Sequence, residues 1–480
     1  MSRISAKGGR VHAPMRAAAW YCVGGGIGKA VGLIATPFFT RLLTSEEYAI
    51  LPLFLTWVGI LGAFSGISGA SGVRVRMELD RERYGEGLTA ALLGYGFLQI
   101  GICMVLYFAL YPILKTVGAP SVGLSLLIFL QLIADGAIGL ELTRMRAIYK
   151  YRTVVLVGII LCVIPQLASY IIITLFGGRG EYRVFGMLAA SLAVAVPFAY
   201  RALRHGRPYN RDIWGCLFRT ELPMLPKSIA AALLSGADRL LITAFYGVGA
   251  LSAYTISHSV GAAGGFVVTA VSAAISPWVL KRIADGRSDG IREACDSGGT
   301  LLTVSAVLIC GIAPELLSIL APRGYNAPLS VIAPLALSAA PTFLLGISSA
   351  ALASEGHGFS AAAPGVAAAV LSIGLNAISF RFLPFSVAAF NYFLSNLAAL
   401  YLAAILQKRS GGALIFSSGR LLLSLAVGGL LCGTALAYEY SIAMRGVLML
   451  LAITLSLPLA IGFLSRVGLG SRAKKRSPKA

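Results

Sequence analysis

Residues 17–40 read AAAWYCVGGGIGKAVGLIATPFFT, an apolar run that is long enough to cross a bilayer and carries Lys29 near its middle. At 1.5 Å per residue, about 20 residues span a hydrocarbon core of about 30 Å. An ammonium at the centre of such a helix costs roughly 2.5 to 3.5 kcal/mol on insertion scales, so it is expected to face a protein interior or a watery recess. Successive residues turn 100° in a helix, which puts Cys22, Gly25, Gly26, Gly32 and Thr36 on the face of Lys29, with Tyr21 one turn beyond. Ile27, Val31, Ile34 and Phe38 form the opposite face, suited to lipid tails. Two readings of Lys29 stand at this level: it meets a solute, or it pairs with a carboxylate on another helix.

The rest of the chain repeats this segment type. Hydrophobic residues make up 57% of the 480 residues and charged residues 12%, a composition of polytopic membrane proteins that leaves no room for a soluble domain. About fourteen apolar segments follow one another, and the expected fold is all-α. They lie near 17–40, 49–72, 87–111, 121–142, 153–176, 184–200, 223–246 and 251–276, then 298–320, 328–353, 361–381, 383–406, 421–438 and 444–464.

The net charge of +21 would suit a nucleic-acid binder, but its distribution excludes that partner. With the N-terminus on the cytoplasmic side, thirty of the forty Lys and Arg fall in cytoplasmic segments. These include Arg74, Arg76, Arg81 and Arg83 in one loop and the tail from Arg466 onward. Seven fall in the opposite loops, and Lys29, Lys227 and Arg239 lie within helices. This positive-inside pattern predicts a multi-pass protein of the cytoplasmic (inner) membrane with both termini in the cytoplasm.

A cleavable signal peptide is not expected, since the first apolar stretch is long and charged. The seven cysteines show no CxxC spacing, so neither a disulfide framework nor a metal site is expected. Residues 24–30 imitate a phosphate loop, but Val23 stands where its first glycine belongs and Ala30 where it needs Ser or Thr. ATP hydrolysis is therefore not expected, nor any cofactor.

Residues 201–222, the longest extramembrane segment, contain RHGRPYNRD and divide the expected helices after the sixth. Residues 40–50 (TRLLTSEEYAI) and 238–256 (DRLLITAFYGVGALSAYTI) share Arg-Leu-Leu and end in Tyr, Ala or Thr, then Ile. This echo agrees with two six-helix lobes, the internal repetition of secondary transporters. The expected organisation is an N-lobe at 1–200, a linker at 201–222, a C-lobe at 223–406, and two further helices with a basic tail at 407–480.

The glycine-rich first helix running into Phe38-Phe39-Thr40-Arg41-Leu42-Leu43-Thr44-Ser45-Glu46-Glu47-Tyr48 resembles the start of polysaccharide (O-antigen type) flippases. These belong to the multidrug/oligosaccharidyl-lipid/polysaccharide exporter superfamily. Leu222-Pro223, then Ser235-Gly236-Ala237-Asp238-Arg239 and the turn before Tyr254, are similar to that family's second-lobe opening. The resemblance implies two six-helix bundles around a central cavity, exporting lipid-linked oligosaccharide by alternating access. Its partners would be that substrate, membrane lipids, and polysaccharide polymerase and assembly proteins.

Buried polar groups supply the candidate site. Ser228, Ser235, Arg239, Thr243 and Tyr246 recur at helical spacing as one stripe, and Asp238 points about 100° away from Arg239. Gln131, Asp135 and Gly139 form a second stripe. Lys29 and Arg239 are the candidates for binding a diphosphate. Asp135 and Asp238 are candidates for an ion or proton site, though either can equally be structural. Thr36, Ser235, Asn376 and Asn391 are candidates for sugar contact, with helix-to-helix glue as the alternative for the asparagines. Arg74, Arg76, Arg81 and Arg83 can gather anionic head groups or simply set topology.

Three other functions share this hydropathy. A membrane glycan polymerase or ligase would carry a long external loop, whereas those expected here are short. A cation-coupled drug exporter of the same superfamily would have twelve helices and an acidic cavity. A lipid II flippase also has fourteen helices and stays the nearest alternative.

Overall fold

The computed structural model of the chain describes residues 12–64, 85–147, 150–221, 225–287, 289–412 and 414–454. Their regular structure is helical throughout. The long helices are α1 (His12–Leu42), α2 (Ser45–Phe64), α3 (Gly85–Ala109), α4 (Val122–Ala147), α5 (Tyr151–Phe176), α6 (Gly180–His205) and α7 (Leu225–Tyr246). They continue with α8 (Val248–Gly261), α9 (Gly265–Ala284), α10 (Ile291–Leu320), α11 (Ala339–Ser354), α12 (Gly358–Ser379), α13 (Val387–Arg409) and α14 (Ser418–Ala437). A shorter apolar helix, α15, covers Ile442–Thr454.

Twelve helical stretches among the described residues are long and apolar enough to cross a membrane, with α8 and α9 counted as one. The protein is therefore a multi-pass membrane protein, while the expected count of fourteen is not reached by this measure. The first and last expected spans account for the difference. They correspond to α1, which stands outside the twelve, and to α15, which is shorter than a full span among the described residues. Arg74, Arg76, Arg81 and Arg83, the tail from Arg466 and the side chain of Lys227 lie outside the described residues.

Packing divides the chain into two units, residues 1–252 and 253–480. Helix α7, the expected opening of the second lobe, packs on α2 within the first unit. Gly236 permits this, because a Cβ there would stand 3.1 Å from Thr56 Cγ2. Between helices in lipid there is no hydrophobic drive, so close backbone approach and interhelical hydrogen bonds hold each unit together.

In the first unit, Gly186 of α6 lies so close to α5 that a Cβ would fall 2.4 Å from Ser169 Cα. Ser169 Oγ donates to the Arg183 carbonyl at 2.8 Å across the same seam. Trp57 Nε1 donates to the Gly118 carbonyl at 3.3 Å, and its ring packs edge-on against Tyr107.

The expected linker is itself structured. Arg211–Glu221 forms a short amphipathic helix whose Ile213 and Leu217 join a buried cluster with Leu88 and Ala91 of α3. Trp214 Nε1 donates to the Ala91 carbonyl at 3.0 Å. Gly94 makes room for the Pro208 backbone, whose oxygen would lie 2.1 Å from an added Cβ.

In the second unit, Gly298 of α10 faces Ile275 and Phe343, and Gly428 of α14 faces Thr303. Asn391 Nδ2 donates to Asn376 Oδ1 and to Ser379 Oγ, each at 2.8 Å, clamping α13 to α12. Arg445 of α15 is buried and donates to the Gly311 carbonyl at 2.8 Å and to Glu315 Oε2 at 2.6 Å.

Candidate functional site

The glycines of α1 do two different jobs. Gly24 and Gly28 seat the helix on α5, where added Cβ atoms would meet Val155 Cγ1 at 3.0 Å and Cys162 Sγ at 2.9 Å. Gly25 and Gly32, on the face of Lys29, have open space beside them: among the described residues, nothing beyond the local helix backbone lies within 4 Å of a Cβ. Lys29 is exposed between them and takes part in no ion pair or hydrogen bond among the described residues. The opposite face carries Ile34 and Phe38, 65% and 54% exposed, as expected of a lipid surface. A helix exposed on two faces with packed residues between them has one face for lipid and one for something polar.

The polar face of α1 is open only over the half nearer its N-terminus. Further along, Thr36, Phe39 and Thr40 are buried, and Thr36 Oγ1 donates to the Gly32 carbonyl of its own helix at 2.9 Å. That internal bond occupies the hydroxyl hydrogen expected to reach a sugar. Helix α4 shows the same division. Ile128, Gln131 and Leu132 are buried, whereas Asp135 and Gly139, one turn and two turns nearer Arg144 and Arg146, are exposed. Among the described residues, nothing beyond the local helix backbone lies within 4 Å of a Cβ placed on Gly139.

Asp135 does not pair with Lys29. Its Oδ1 accepts from Gln131 Nε2 at 2.8 Å, and the same amide reaches Ser191 Oγ of α6 at 3.2 Å. Glu141 forms a two-pronged pair with Arg144 at 2.6 and 2.8 Å. The carboxylates of α4 are thus engaged within the helix, and the ammonium of Lys29 is left available.

The polar stripe of α7 is partly open. Ser235 is exposed and donates to the Ala232 carbonyl at 2.9 Å, and Arg239 is half-buried. Arg239 takes part in no ion pair among the described residues, and its Nε has no hydrogen-bond partner. An unmet buried donor costs about 1 to 3 kcal/mol, which an acceptor arriving on this stripe would recover. Asp238 is buried, and its Oδ1 accepts the backbone N–H of Arg239 at 2.8 Å. Thr243 Oγ1 donates to the Arg239 carbonyl at 2.8 Å.

The structure brings Lys29, Asp135, Ser235, Asp238 and Arg239 into the first unit, and Asn376 and Asn391 into the second. The two asparagines are buried and bonded to each other. Their geometry is that of an interhelical clamp, with Asn376 Nδ2 unpaired.

Two arginines at the edges of expected spans are structural parts of helices. Arg183 is buried in α6 under the rings of Phe39 and Tyr48, 4.1 and 4.8 Å from their centroids. The neighbouring Gly180 N–H donates to Glu47 Oε2. Arg445 lies in α15 against Glu315. Nothing in local hydropathy distinguishes these arginines from topological ones, because their partners are more than a hundred residues away or on another helix.

A family model described as a polysaccharide biosynthesis protein matches residues 15–282. No curated protein sequence matches the chain significantly. Among solved structures, a lipid II flippase, MurJ, in an inward closed conformation superposes with a TM-score of 0.67 at 11% identity, covering 93% of this chain and 98% of that one. An inward-facing multidrug resistance MATE family transporter of the MOP superfamily gives 0.59 at 14% identity, with 85% and 95% coverage. A MOP superfamily transporter from Pyrococcus furiosus gives 0.55 at 14% identity, with 92% and 100% coverage. At these identities the likeness is one of fold.

Proposed function

The chain belongs to the polysaccharide biosynthesis protein family, and on that premise we propose that it carries polyprenyl-diphosphate-linked oligosaccharide across the cytoplasmic membrane by alternating access, without ATP hydrolysis. The observation that carries this reading is the pair of cations in the first unit, Lys29 and Arg239, on polar stripes that are at least partly open and without carboxylate partners among the described residues. Their chemistry suits a diphosphate.

At an effective dielectric of about 20, one cation about 4 Å from one phosphate charge gains about 4 kcal/mol. Two such contacts amount to about 8 kcal/mol before desolvation, the scale of a micromolar complex. That is enough to draw the head group from the leaflet and weak enough to let it go. The open glycines beside Lys29 give the sugar-bearing head room, and Ser235 offers it a hydroxyl. Asp135, exposed and held by Gln131, would be the proton or ion site coupled to the cycle. With both termini in the cytoplasm, as the positive-inside pattern predicts, the open halves of α1 and α4 would face the side where lipid-linked sugars are made.

A strain deleted for this chain tests the reading. Loss of surface polysaccharide in viable cells, with a lipid-linked oligosaccharide accumulating on the cytoplasmic leaflet, is expected. Accumulation of lipid II with lysis would reassign the protein to peptidoglycan precursor export.

A further inference from the structure

The second unit holds a recess of about 410 Å³ at the far end of α10, lined by Glu315, Ser318, Pro322, Asn326, Glu439 and Tyr440 among others. That volume falls in the range of small-ligand sites. We propose that this recess is a saccharide site on the external side, which takes hydroxyl-rich sugar and excludes phosphate.

The argument begins with Glu315. Arg445 holds its carboxylate from behind, with Nη1 at 2.6 Å from Oε2 and Nη2 against Oε1. The arginine side chain is 3% exposed and the glutamate 47%. The pair thus presents a fixed carboxylate outward, and each of its oxygens keeps a lone pair for a further donor. Glu439 adds a second carboxylate to the lining, next to Tyr440 in the chain. Asn326 contributes an amide from a left-handed backbone with φ of 46°, which Asn adopts more readily than most residues. Tyr440 is 94% exposed and offers a ring face.

This lining is rich in acceptors, and sugars are rich in donors. With Glu315 paired to Arg445, Glu439 leaves one net negative charge among the described lining residues, so the recess suits a neutral sugar better than the diphosphate that Lys29 and Arg239 would hold. A calcium ion, which takes six to eight oxygen ligands, is also a poor fit, because Arg445 already neutralises one of the two carboxylates. The side follows from charge. Lys281, Arg282 and Arg292 mark the opposite end of α10, so the positive-inside pattern places the recess outside. That the bound sugar is the exported one rests on the proposed function; the chemistry of the recess does not.

Saturation-transfer NMR on the purified full-length chain tests this, with N-acetylglucosamine and glucose as neutral probes and glucose 1-phosphate as the anionic one. Transfer to the neutral sugars is expected, and any transfer to the phosphate should disappear in Lys29→Ala, which removes the proposed phosphate contact rather than the recess. Glu439→Gln and Tyr440→Ala, both in an exposed turn, should each weaken binding about tenfold, the loss of one hydrogen-bonding or ring contact. Transfer to the neutral sugars unaffected by either variant, transfer to glucose 1-phosphate that persists in Lys29→Ala but falls with Glu439→Gln or Tyr440→Ala, or no transfer to either neutral sugar would overturn the proposal. Failure of the deletion strain to lose polysaccharide, with sugar binding at Tyr440 intact, would remove the transport reading and leave this site standing.

Discussion

Asp135 accepts a hydrogen bond from Gln131, one turn earlier on the same helix, at 2.8 Å. Lys29 thereby loses the most obvious carboxylate partner in its own unit. What the sequence leaves as a choice between an internal ion pair and a solute contact becomes, in three dimensions, an open ammonium on a face of glycines.

The first prediction follows directly. Lys29→Ala should abolish surface polysaccharide in a complemented deletion strain while the protein inserts into the membrane at normal abundance, as read by immunoblot. Lys29→Arg should retain part of the export, since the charge persists. Normal polysaccharide in the alanine variant would remove Lys29 from the mechanism.

For Asp135, the neutral amide is the informative change. Asp135→Asn preserves shape and a hydrogen bond to Gln131 but cannot carry a proton or cation. Transport by this variant in proteoliposomes should no longer respond to an imposed proton or sodium gradient. A response equal to that of the unmodified protein would show that coupling resides elsewhere.

Glycine substitutions separate packing from open space. Gly186→Ala puts a methyl 2.4 Å from the Ser169 backbone, and the overpacking should cost about 1 to 3 kcal/mol and lower the melting temperature. Gly25→Ala and Gly32→Ala meet nothing within 4 Å and should stabilise α1 by up to about 1 kcal/mol through helix propensity. Reduced export by these two folded variants would mark the space beside Lys29 as occupied during transport.

The pair between Arg445 and Glu315 should respond unequally to its two truncations. Glu315→Ala strands a cation that is 3% exposed, and loss of the partner of a buried charge costs about 3 to 5 kcal/mol. Arg445→Met leaves a carboxylate with access to water and fills the space with an apolar chain. A larger fall in melting temperature for Glu315→Ala than for Arg445→Met is expected. Equal falls would mean that the pair contributes little beyond packing.

The sequence determined what depends on local composition. Hydropathy over about twenty residues defined most of the spanning helices, and helical periodicity placed Ile34 and Phe38 opposite Lys29, where the structure exposes them as a lipid face. The glycine-rich first helix and the residues around Tyr48 were sufficient to indicate the family, because that signature is contiguous in the chain.

Only the tertiary structure decided which neighbour each polar group meets. Periodicity could not tell Gly24 and Gly28, which seat α1 on α5, from Gly25 and Gly32, which face open space. Nor could it place α7 on α2 in the first unit, turn residues 211–221 into a docked helix, or bury Arg183 beneath Phe39 and Tyr48. The reason is physical. Partition into lipid is a property of a segment, whereas a hydrogen bond, an ion pair or a close helix crossing belongs to two segments and is fixed only when both are packed.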